Sequence, residues 1–65
     1  MTPATCFRLA YDFLMKHAAG IPEEHWRDVA EDMQAIEQAH GNNPLLGELL
    51  AAVVAELGRM YATTP

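Results

Sequence analysis

Glu37 and His40 stand three residues apart, an ExxH unit. On a helix this spacing puts a carboxylate and an imidazole on one face, where bundle di-iron proteins aim them at a metal. Such a centre needs two ExxH units and two further glutamates. This chain has one unit, and Glu48 and Glu56 are the only acids in its last third. A homodimer would double the set, so a metal-binding helical protein using Glu37 and His40 across a dimer is one alternative reading. The plainer expectation places His40 at the carbonyl end of its helix, where a cation is favoured.

The other reactive side chains read as structural. His17 falls towards an apolar face in the last turn of its segment, as a helix-end or core histidine does. His25 lies on an acidic side and reads as a solvated surface residue. Cys6 has no flanking base to activate it and, near an apolar face, behaves as a small hydrophobe. It is the sole cysteine, so no internal disulfide forms. There is no CxxC or HxxxH pair, no Ser–His–Asp order and no P-loop. The expectation is therefore no enzyme, no catalytic residues, no cofactor and no metal.

The elements that would position these residues follow from punctuation along the chain. Thr2 caps a first helix and Pro3 takes its first position, where a missing N–H costs nothing. The helix runs over 3–19 and stops at Gly20, with apolar Ile21 beyond it in Schellman fashion. Pro22 opens a second helix over 22–40, with Glu23 and Glu24 at the positive end of its dipole. Gly41 ends that helix. Asn43 caps a third over 44–61, with Pro44 first, and Thr63 to Pro65 fray. Short connections make neighbouring helices antiparallel. The fold class expected is all-α, a three-helix bundle in a single domain over 1–65.

The three faces differ. In the second helix Trp26, Val29, Met33 and Ile36 form a narrow apolar seam with Ala30 beside it. The rest of that helix is acidic, and it carries the whole net charge of −5; Glu24, Asp28, Glu31 and Asp32 define its acidic face. Glu23–Arg27 is a favourable i, i+4 pair, whereas Asp28–Asp32 is repulsive by a few tenths of a kcal/mol. The third helix is mostly apolar. Leu46, Leu49, Leu50, Val53, Val54, Leu57, Met60 and Tyr61 cover roughly 140° of it. Beside them runs a stripe of small residues, Gly47, Ala51, Ala55, Gly58 and Ala62, into which either the first helix or a second chain could pack. In the first helix Cys6, Phe7, Ala10, Tyr11, Phe13, Leu14 and Ala18 share one side, with Leu9 and Met15 on its shoulders. Arg8, Asp12 and Lys16 mark the wet side, with Asp12–Lys16 as an ion pair. A bundle helix needs a face of little over 100°, so the first and third helices have apolar surface to spare.

Composition excludes several classes. Nine acids against four Lys and Arg disfavour direct nucleic-acid binding. The nearly uncharged run Leu49–Ala55 is far short of the ~20 residues that span a bilayer, so no membrane association is expected. With no secretory pattern at the start and an unpaired cysteine, a cytoplasmic location is expected.

Phe13, Trp26, Asp32 and Ile36, the Pro44-Leu45-Leu46 start and the run Leu49 to Leu57 with Arg59 give the chain a resemblance. It resembles small helical proteins encoded by bacterial phages and mobile elements. That resemblance implies an accessory or regulatory role and transfers no active site.

The function expected is a non-enzymatic interaction protein, a homodimer that regulates or inhibits a protein partner; a structural subunit of a larger assembly is a further alternative. Trp26, Leu50, Val54 and Tyr61 are the expected apolar contacts. Gly47, Ala51, Ala55 and Gly58 are the expected close-approach positions. Burying a further ~400 Å² of apolar surface per chain is worth about 10 kcal/mol gross, before the entropy of association. Metal analysis of purified protein should find no stoichiometric iron or zinc. A bound metal lost in His40→Ala would favour the ExxH alternative.

Overall fold

Each helix begins and ends where the local chemistry directs. The computed structural model describes residues 1–21 and 25–61. Helix α1 spans Pro3–His17, α2 spans Trp26–Ala39 and α3 spans Pro44–Tyr61. Thr2 caps α1: its side-chain oxygen accepts from the Thr5 N–H at 3.2 Å. The helix ends at His17, two residues before the expected Ala19, and the chain turns through Ala18 and Ala19 to Gly20. Gly20 adopts φ +120°, open only to glycine in practice, and its N–H donates to the His17 carbonyl at 3.2 Å.

The paired bonds of a Schellman motif form at the other connection. There the Asn42 N–H donates to the Glu37 carbonyl at 2.8 Å and the Gly41 N–H to that of Gln38 at 3.3 Å. Gly41 at φ +72° and Asn42 at φ +54° make the reversal. Asn43 then caps α3, its Oδ1 accepting from the N–H groups of Leu45 at 3.0 Å and Leu46 at 3.3 Å. The expected first turn at Pro22, Glu23 and Glu24, the Glu23–Arg27 pair and the segment from Ala62 to Pro65 lie outside the described residues.

Helices α1 and α3 run parallel. Cys6 near the start of α1 meets Asn43 at the start of α3, Sγ to Oδ1 at 3.7 Å. At the far end the Tyr61 hydroxyl donates to the carbonyl of Ala18. Helix α2 must return between these ends, so it is antiparallel to both, as expected from the short connections. The architecture is an all-α three-helix bundle.

The core is the α1–α3 seam. Cys6, Ala10 and Phe13 of α1 lie against Leu46, Leu50 and Leu57 of α3, all buried. Val29 from α2 and Ile21 from the first connection close it. Trp26, Met33 and Ile36 are half-buried against this core, so the apolar seam of α2 faces as its spacing predicted. Helix α2 nevertheless meets α3 far less than α1 does.

Leu50 has no exposed surface. A carboxylate there would be buried without a partner, at a cost of several kcal/mol. A single core this small rarely supplies more than about 3–5 kcal/mol of net stability. Leu50→Asp should therefore abolish the helical circular dichroism signal, and Leu50→Ala should destabilise by about 2–5 kcal/mol in urea melts.

Candidate functional site

Because α1 and α3 share a parallel seam, two flanks lie open beside it, and α2 covers one. Its hold there is polar as well as apolar. Lys16 Nζ donates to Asp32 Oδ2 at 2.9 Å, and His17 Nε2 lies 3.3 Å from the same oxygen. The His17 ring also meets Phe13 edge-on, with centroids 4.9 Å apart. His17 is thus a satisfied residue that ties α1 to α2. Lys16 donating to Asp32 holds that carboxyl below its ordinary pKa; partial burial opposes this, and His17 reinforces it.

This arrangement corrects two expectations. Lys16 pairs with Asp32 on α2, and Asp12 pairs instead with Arg8 at 3.4 Å. Asp32 also leaves the acidic face: it is half-buried and bonded, whereas Asp28 and Glu31 are exposed and Glu24 lies outside the described residues.

Among the described residues no helix covers the opposite flank. From α1, Phe7 and Tyr11 stand on it with 59% and 57% of their surface exposed. Phenylalanine at that exposure is unusual, and two aromatics one helical turn apart make a patch. Together with Leu14 they face Leu49 and Val53 of α3 across a groove of about 330 Å³. Ala10 and Ala52 line it where side chains are shortest, and Glu56 is its one charged residue. The groove exists because the apolar side of α1 is wider than the single strip that α3 can cover. Cys6, Ala10 and Phe13 fill that strip; Phe7 and Tyr11 follow one step round the helix and are left over, with Leu14 half-buried beside them.

The expected contact residues distribute differently. Leu50 is core and unavailable to a partner, while Val54, Tyr61 and Trp26 are half-buried against the core. The stripe of small residues does not receive α1. A side chain built at Gly58 would meet nothing within 4 Å, and one at Gly47 would reach only the Glu37 carboxyl at 4.0 Å. Ala51 and Ala55 are exposed. Physically, α1 packs on the large side chains because they bury more area than a shallow alanine and glycine track. Phe7, Tyr11, Leu49 and Val53 were legible as members of wide apolar faces. Which of them would stay uncovered depends on helix rotation, which spacing does not fix.

The candidate chemical residues stay apart. Glu37 lies beside Gly47, His40 is exposed at the end of α2, and His25 is exposed before Trp26. Among the described residues no three His, Cys, Asp or Glu side chains converge as a metal would need. Cys6 is buried. A second, polar cleft of about 210 Å³ lies between His17, His25 and Asp28 at the first connection. Among the described residues no helix is long and apolar enough to cross a membrane.

No protein-family model matches the chain, nor does any curated protein or any solved structure.

The Lys16–Asp32 contact sets an acid limit on the fold. A carboxyl with a depressed pKa stabilises the fold above its ordinary value, near 3.8, and that contribution is lost as pH falls through the lowered value. Urea melts should show stability falling below about pH 4, with a shallower fall in Asp32→Asn. At neutral pH that substitution should cost no more than about 1 kcal/mol, because Lys16 is largely solvated.

Proposed function

We propose that this chain is a non-enzymatic interaction protein, a small acidic regulator or inhibitor that acts by docking protein surface into the groove between α1 and α3. The observation that carries this is the pair Phe7 and Tyr11, each more than half exposed over an apolar groove. Aromatic anchors on a hollow are what protein interfaces concentrate their binding energy on. A helical element of a partner fits such a groove by inserting apolar residues at helical spacing. The acidic residues Asp28 and Glu31 lie on α2, the helix on the other flank, so the apolar docking face and the charged face are separate.

This division of labour supports a two-part recognition. The groove supplies affinity, and the acidic helix speeds encounter with a basic surface in a salt-dependent way. An accessory protein of a phage or mobile element, the kind this sequence resembles, would use such surfaces to occupy a host or element protein. A cytoplasmic location is consistent with that role.

Affinity capture from the host with the intact chain, at low and high salt, tests the reading. A defined protein should be retained by the wild type and lost with Phe7→Ser. Asp28→Lys with Glu31→Lys should weaken capture mainly at low salt. Equal capture by wild type and Phe7→Ser would remove the groove from the account.

A further inference from the structure

We infer that the groove between α1 and α3 is an interface with a second copy of this chain, so that the protein is a two-fold dimer joined through Phe7 and Tyr11. This rests on the reading of the groove as a docking surface and names its occupant in the free protein; the protein partner proposed above would compete with the second copy for the same groove.

The shape of the face comes first. Phe7 and Tyr11 project from α1, and the same groove is lined by Ala10 and Ala52, where side chains are shortest. Knobs and hollow therefore lie on one patch. A two-fold axis brings the same patch of both chains together, so each chain's aromatics can enter the hollow of the other. The face needs no partner of different shape.

The charge balance is the second argument. Arg8, Asp12, Lys16, Glu48, Glu56 and Arg59 are all the charges of α1 and α3, and they cancel. Five of them are already paired within the chain, Arg8 with Asp12, Glu56 with Arg59 at 2.6 Å, and Lys16 with Asp32 of α2. The groove itself holds one charge, Glu56, which Arg59 already pairs, so like-charge repulsion between two such faces is small. The exposed acids of α2 among the described residues, Asp28 and Glu31, lie on the helix of the other flank. A strongly basic partner would be drawn to α2, and a neutral apolar face suits a copy of itself.

Area is the third. Helices of 15 and 18 residues are about 22 and 27 Å long. Side by side, with axes ~10 Å apart, they present a face of roughly 500 Å² in projection. That falls short of the ~800 Å² of accessible surface each partner covers in a stable complex and fits a weaker dimer that forms as concentration rises. A chain with so small a core of its own gains from such cover.

Sedimentation of the intact chain from low to high micromolar concentration is the test. A dimer is expected, with Tyr11→Glu raising its dissociation constant about tenfold or more, as loss of a central aromatic anchor does. Tyr11 is more than half exposed, so the variant should keep its helical circular dichroism; Phe7→Ser is the second variant should it not. Ala55→Leu, on the uncovered small-residue stripe, should leave the dimer intact. A dimer that Ala55→Leu splits and Tyr11→Glu leaves whole would overturn the inference by moving the seam to the stripe. A monomer throughout would overturn it as well, and an apolar fluorescent dye then separates the two readings. Dye binding by the wild type that Phe7→Ser removes would leave the groove open for a different protein, so only the self-pairing would fall. No dye binding would remove the docking surface too.

Discussion

The structure depends on one seam: three leucines of α3, Leu46, Leu50 and Leu57, closed over Cys6, Ala10 and Phe13 of α1. These residues are almost wholly removed from water, and every other contact is arranged around them. At ~25 cal/mol per Å² of apolar surface, leucine and phenylalanine at that depth dominate what a 65-residue chain can set against its conformational entropy. The small side chains at Cys6 and Ala10 let the two helices approach. With α1 and α3 parallel across this seam, the two short connections carry α2 back between their ends.

That constraint explains the asymmetry of the surface. A pair of parallel helices has two flanks, and a chain with one further helix can cover one. Val29, Trp26, Met33 and Ile36 take one flank, and Lys16, His17 and Asp32 fasten it. On the other flank Phe7 and Tyr11 remain in water. The exposed aromatics are therefore a consequence of topology combined with a wide apolar face on α1. The same topology separates charge from apolar surface, since the acids are on the helix that lies opposite the open flank.

Much of this was legible in the sequence, for reasons that differ by residue. Thr2, Pro3, Gly20, Gly41, Asn43 and Pro44 act locally, through caps and positive φ, so the helix order and the connections could be read directly. The core of α2 followed from its narrow apolar seam, Trp26, Val29, Met33 and Ile36. The faces of α1 and α3 were too broad to resolve in this way. Leu50 and Val54 lie one step apart on α3, and spacing alone did not show that Leu50 would be buried at the seam while Val54 stayed half-buried. Asp32 was read as solvated because its partners, Lys16 and His17, come from another helix. The small-residue stripe was open to α1 or to a second chain; α1 does not take it, because the leucine side offers the larger contact area. The groove itself was foreseeable only as a surplus of apolar surface, without its position.

The central claim is that Phe7 and Tyr11 form a surface that a second chain covers, while Phe13 belongs to the core of each chain. Hydroxyl-radical footprinting across a range of protein concentrations, with oxidation read residue by residue by mass spectrometry, tests it directly. Phe7 and Tyr11 should be oxidised readily in dilute protein and become protected as concentration rises. Phe13 should be protected at every concentration. Oxidation of Phe7 and Tyr11 that does not change with concentration, or Phe13 oxidised as fast as Phe7, would contradict the account.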